Sequence, residues 1–137
     1  MFINKVHDIE GEMMCILIYE EDWKGRMALE RTIVRYKNEN ESTAQIKNFD
    51  DAQKAFLHAQ MNYIEAAFIS MEGKFGYGFF LAKRLKTKNP RLNLIPMSEE
   101  PRFERELMKM DVSGYLTEPY TSEKVKYELE NLRYINN

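Results

Sequence analysis

Five short apolar runs alternate with five longer stretches of helical spacing, and few folds satisfy that order. The first run, Met14-Cys15-Ile16-Leu17-Ile18-Tyr19, is apolar at almost every position. A strand with one wet face alternates apolar and polar residues, whereas a continuous run fits a strand buried on both faces. Residues 43–49, 64–70, 92–97 and 114–117 read as the other strands. Strands that alternate with helices pair in parallel through right-handed crossovers, and the helices cover both faces of the sheet. The expectation is one doubly wound α/β domain over residues 14–137, preceded by a polar, irregular extension over residues 1–13.

The helices follow from apolar spacing. Leu29, Ile33 and Tyr36 recur at i, i+4 and i+7, so a first helix ends near Tyr36 and a polar loop covers 37–42. Asp50 with Gln53 three residues later has the capping-box pattern, and Ala52, Ala55, Phe56 and Ala59 mark the buried stripe that follows. Gly78, Leu81, Ala82 and Leu85 form the apolar face of a third helix, which Asn89-Pro90 stops. A fourth helix is expected over 99–110, and a fifth from about Thr121 with Val125, Leu129 and Leu132 on one face. Pro96 is awkward: it falls inside an expected internal strand, where it removes a ladder donor, so a bulge or a shifted strand edge is expected there.

With 137 residues, 44% of them hydrophobic, the chain can bury one sizeable core. A net charge of −2 provides no basic field for nucleic acid, and Lys83, Arg84, Lys86 and Lys88 read as a solvated helix face. One cysteine, Cys15, forms no internal disulfide, and no run approaches the ~18 apolar residues of a membrane span. A cytoplasmic location is expected. His7 and His58 lack metal-ligand spacing and read as surface histidines, and the 73–78 segment, which matches no phosphate-binding motif, reads as a flexible loop. No nucleophile–base pair argues for an enzyme.

In open parallel sheets, sites form beyond the carboxyl ends of the strands. The residues at those ends are Glu20-Glu21-Asp22, Ser70, Ser98 and Thr117-Glu118-Pro119, with Trp23 expected to shield the mouth. This constellation resembles the receiver domain of bacterial response regulators. The matching pieces are Ile16 to Asp22, Ala66 to Ser70 followed by Gly78 and Leu81-Ala82, and Val112 to Pro119. That last stretch, with the ending Leu129 to Tyr134, looks most like receivers that precede LytTR-type DNA-binding domains. The resemblance implies a flavodoxin-like, three-layer (βα)5 fold with strand order 2-1-3-4-5. It also implies relatives that take a phosphoryl group from a histidine kinase onto an aspartate.

Carried over residue by residue, the resemblance makes Glu20 and Glu21 the acidic pair, Ser98 the hydroxyl switch position and Tyr115 the aromatic switch. Two positions depart from the family. Ser70 stands where the aspartate belongs, with its register set by Gly78, and a serine hydroxyl cannot form an acyl phosphate. Glu118 stands where a lysine belongs, which turns the phosphate-holding cation into an anion. Glu20, Glu21 and Glu118 then leave the pocket with three carboxylates and no ammonium. No cofactor is expected, the weak metal candidate being Mg²⁺ or Ca²⁺ bridged by Glu21 and Glu118.

The expected function is a receiver-like regulatory domain that works without aspartyl phosphorylation. It would act through a homodimer or partner contact on the face formed by its fourth helix, fifth strand and fifth helix (99–110, 114–117, 121–134). Phe103, Met110, Tyr115, Tyr120 and Tyr127 supply that face with apolar surface. DNA contacts would belong to an output domain outside this chain. The alternatives are a receiver that uses Ser70 or Glu72 as its acceptor, and a small flavodoxin-like cofactor binder.

Overall fold

The computed structural model describes residues 15–99 and 104–135, so the extension expected over 1–13, His7 and Phe103 lie outside the described residues. Ten elements alternate without exception: β1 (Cys15–Tyr19), α1 (Trp23–Glu39), β2 (Gln45–Phe49), α2 (Ala52–Met61), β3 (Ala66–Ser70), α3 (Tyr77–Lys88), β4 (Asn93–Ser98), α4 (Glu104–Leu107), β5 (Leu116–Thr117) and α5 (Ser122–Glu130). Single 3-10 turns occupy Lys74–Gly76 and Met108–Met110. The strands form one parallel sheet in the order β2-β1-β3-β4-β5, a flavodoxin-like arrangement.

β1, β3 and β4 are buried at every position, which is why their sequences run apolar instead of alternating. Alternate residues feed two cores. Leu17, Tyr19, Ala67, Ile69 and Leu94 pack under α2, α3 and α4 through Phe56, Leu81, Leu85 and Leu107. Ile16, Ile18, Phe68, Ile95 and Met97 pack under α1 and α5 through Leu29, Ile33 and Val125. Gly78 belongs to the first contact zone for a steric reason. A Cβ there would lie 1.8 Å from the Ser70 carbonyl oxygen, so only glycine lets α3 start against the end of β3.

Pro96 lies inside β4 and leaves the strand's register with β3 unbroken. Its pairing with β3 runs residue for residue from Ala66↔Asn93 to Ser70↔Met97. Asn93 N–H and Met97 C=O bond toward β3, while Leu94 and Ser98 carbonyls face β5, so the donor missing at Pro96 faces β5. The disturbance appears there: Leu94 and Ser98 are four residues apart, whereas their donors, Ser113 N–H and Glu118 N–H, are five apart. β5 consequently pairs only at Leu116 and Thr117, shorter than the expected 114–117. Glu128 of α5 covers the gap, lying over Gly114 and accepting the Tyr115 backbone N–H.

Several local readings shift. The α2 cap is Asp51, which accepts the Lys54 N–H at 2.9 Å, one residue after the expected Asp50. α1 continues a turn past Tyr36, and the Asn40 side chain donates to the Tyr36 carbonyl. Lys86 is not on a solvated face; it is buried and donates to the Pro90 and Leu92 carbonyls, with desolvation lowering its pKa. His58 is half-buried against Phe49 and Cys15 instead of lying on the surface, and burial lowers its pKa. Burial pushes the Cys15 thiol up to about 11, so it stays protonated and inert at neutral pH.

Candidate functional site

The carboxyl ends of β1, β3, β4 and β5 surround a crevice of about 770 Å³. Glu20, Glu21, Asp22, Glu72, Glu99 and Glu118 line it, and among the described residues no lysine or arginine does. It is thus more anionic than the three glutamates read from the sequence.

Glu20 enters from the end of β1, where the Arg26 guanidinium fixes its backbone by donating to its carbonyl at 2.8 Å. Its carboxylate accepts the Asp22 N–H at 3.0 Å and the Ser70 hydroxyl. Burial is the largest cause of its raised pKa, with the Asp22 and Glu118 charges adding to it. Ser70 is 1% exposed, and its Oγ also accepts the Glu72 N–H at 3.2 Å. The Ser70 hydroxyl is therefore committed on both its donor and acceptor sides.

Glu21 does not share the centre of the crevice with Glu20. Its carboxylate accepts the Tyr19 hydroxyl at 2.5 Å and the Lys74 N–H at 3.2 and 3.3 Å. It clamps the loop between β3 and α3, so the 73–78 segment is a pinned turn and not the loose loop expected. Burial, then the Glu21 hydrogen bond, raises the Tyr19 phenol well above its ordinary value.

The carboxylate that reaches the end of β4 is Glu72, which the sequence offered only as an alternative acceptor and not as part of the acidic pocket. One of its oxygens accepts the Ser98 hydroxyl at 2.5 Å and the Glu99 N–H at 3.1 Å. Ser98 is fully buried at the last residue of β4, so its hydroxyl and the next backbone N–H form a small donor cradle. Glu72 closes that cradle from two residues past β3. The available signal was positional, an acid in the same short loop as Ser70.

Glu118 lies at the rim, exposed, and precedes Pro119 through a cis peptide bond. Lys124 of α5 does not replace the missing lysine in the crevice; its Nζ donates to the Thr117 carbonyl at 3.2 Å. Tyr115 is half-buried against the core with its hydroxyl oxygen shielded from solvent. Trp23 is 63% exposed and does not line the crevice it was expected to shield.

The expected cation bridge is not formed: among the described residues no three Asp, Glu, His or Cys side chains converge on one point. Glu21, one half of the expected bridge to Glu118, is turned toward Tyr19 and Lys74.

No protein-family model matches the sequence, and no curated protein matches it. Solved structures do match. The chemotaxis protein CheY4 of Vibrio cholerae superposes with a TM-score of 0.75 at 15% identity, over 88% of this chain and 98% of that one. The chain has the receiver-domain fold. The response regulatory domain of mrkE from Klebsiella pneumoniae gives 0.75 at 19% identity, over 87% and 94%. The response regulator TrrA of Thermotoga maritima, solved in complex with Mg²⁺-BeF, gives 0.73 at 13% identity, over 86% and 97%. Among the described residues, no helix is long and apolar enough to cross a membrane.

Proposed function

We propose that this chain is a receiver-like regulatory domain of the two-component type that signals without aspartyl phosphorylation. One observation carries the reading: Glu72 already occupies the donors at the end of β4. A receiver site has to offer an acceptor carboxylate and donors that hold the transferred anion. Here the acceptor position is Ser70, bonded to Glu20, and the cradle holds the chain's own carboxylate. Six carboxylates around the crevice oppose entry of a phosphoryl donor. Ser70 and Glu118 stand where an acceptor aspartate and a phosphate-holding lysine are expected.

Output would pass through the face of α4, β5 and α5 to a protein partner, with Tyr115 as the aromatic at its centre. This face is less apolar than the sequence suggests. Met110, Tyr115 and Tyr120 pack inward, and Tyr127 is its exposed aromatic among the described residues. Contacts there would rely on charge as well as apolar area, and any DNA binding would belong to another domain. The domain is not an enzyme in this reading, because Ser70 is buried and its hydroxyl is held between the Glu20 carboxylate and the Glu72 N–H.

The test is intact mass after incubation with acetyl phosphate and Mg²⁺. An unchanged mass is expected. A species heavier by ~80 Da, one phosphoryl group, would establish the rival reading, with Ser70 or Glu72 as acceptor.

A further inference from the structure

An exposed aromatic patch lies away from the α4–β5–α5 face, on the turn after β3 and the start of α3. Phe75 is 81% exposed, Phe80 58% and Tyr77 48%, and the Phe75 and Tyr77 rings are 5.5 Å apart. Isolated exposed apolar residues are ordinary, but three exposed rings within six residues, two of them in contact, are not. Phe75 also has φ 54°, ψ 20°, a left-handed conformation that bulky side chains rarely adopt. The turn is held by Glu21 at Lys74, so the chain maintains an unfavourable backbone and exposes a ring by doing so.

The adjacent groove, about 830 Å³, has walls of opposite charge. Asp50 and Asp51 line it at the start of α2, Glu21 lines it after β1, and Lys74, Tyr77, Phe80 and Arg84 line it from α3 and the turn before it. Arg84 is exposed and lies flat over the Phe56 ring at 3.6 Å, which fixes its place on that wall.

We propose that this surface is a two-fold interface with a second copy of this chain. A two-fold axis running along the groove sets the acidic wall of each copy against the basic wall of the other, the self-complementarity that an isologous contact requires. The three rings offer roughly 350 Å² per copy, about 700 Å² in the pair. Specific interfaces start near ~1,200 Å² in total, so the charged walls must supply the remainder and the dimer should be weak. A single-stranded nucleic acid would also stack on aromatic rings, but Asp50, Asp51 and Glu21 on the same groove repel phosphate. Pairing here leaves α4, β5 and α5 open.

Sedimentation equilibrium from ~5 to ~500 µM tests the proposal, with a dissociation constant on the order of 10–100 µM expected. Phe75→Ser and Phe80→Ser, both at exposed positions, should each weaken association about tenfold while circular dichroism stays unchanged. Asp50→Lys and Arg84→Glu should each weaken it alone. Mixed together they should form a heterodimer tighter than either variant's homodimer, and the doubly reversed chain should dimerise again. A monomer throughout the range overturns the proposal, and so does a dimer indifferent to all four substitutions. Binding of a labelled single-stranded oligonucleotide by a monomer that Phe75→Ser abolishes would assign the patch to nucleic acid and also overturn it.

Discussion

The contact between Ser98 and Glu72 can be weighed by a double-mutant cycle with Ser98→Ala and Glu72→Gln. The structure gives an O–H···O⁻ bond of 2.5 Å from a fully buried hydroxyl to a half-buried carboxylate. A hydrogen bond to a charged group contributes about 1.5–3 kcal/mol, and partial exposure places this one near the lower end. A second effect has the opposite sign. Glu20, Glu99 and Glu118 line the same crevice, so neutralising Glu72 relieves repulsion that amounts to several tenths of a kcal/mol per pair at the rim. Glu72→Gln alone should therefore look almost neutral, and Ser98→Ala alone should cost about 2 kcal/mol. The coupling energy removes the repulsion common to both backgrounds and should be about 1–2 kcal/mol. Urea unfolding followed by circular dichroism measures all four corners, and 0.5 M salt should raise wild-type stability more than that of Glu72→Gln. A coupling energy below ~0.3 kcal/mol would show that Glu72 does not hold the end of β4, and the closed-cradle reasoning would fail.

Restoring an acceptor should require more than one change. Ser70→Asp alone should give no labelling by acetyl phosphate, because Glu72 still fills the cradle and Glu118 still repels the anion; Ser70→Asp with Glu72→Asn and Glu118→Lys should label, as read by intact mass. Glu20 and Glu128 both have carboxyl pKa values raised chiefly by burial, so the fold favours their protonated forms. Their stabilisation is whole below the ordinary value of 4.5 and is lost as pH climbs through the raised folded values, so melting temperature should rise as pH falls from neutrality toward 4.5 and Glu128→Gln should flatten that rise. Asp111, lowered from 3.8 first by its bond from the Tyr134 hydroxyl, has the opposite sign and matters only in stronger acid. Gly78→Ala sets a Cβ 1.8 Å from the Ser70 carbonyl oxygen and should cost about 3 kcal/mol or prevent folding. Gly114→Ala should cost less, because its clash at 1.7 Å is with the end of the Glu128 side chain, which can turn away.

The fold was legible because its strands are buried on both faces. Runs such as 15–19 and 66–69 have no polar side to obscure them, and Leu29, Ile33, Leu81 and Leu85 show the helix period plainly. β5 was less legible, since its length depends on a donor missing at Pro96 on a neighbouring strand and on Glu128 arriving from α5. Lys86 and His58 misled for a related reason. Their types suggest solvent, but the loop carbonyls after α3 and the Phe49 ring give them buried partners that no local pattern records. At the site, the positions of Ser70, Ser98 and Glu118 followed from strand ends alone. The direction of each carboxylate did not: Glu21 turns toward Tyr19 and Lys74, and Glu72 turns inward to Ser98, because those donors come from other elements.

The central claim is that the chain's own carboxylate occupies the place of an incoming anion. Backbone amide NMR with ~10 mM Mg²⁺ and beryllofluoride tests it most directly, at a concentration well above any useful affinity. The Lys74 and Glu99 resonances, whose N–H groups bond Glu21 and Glu72, should stay where they are. A new set of peaks for these two residues in slow exchange would mean that the cradle opens to an external anion, and would contradict the account.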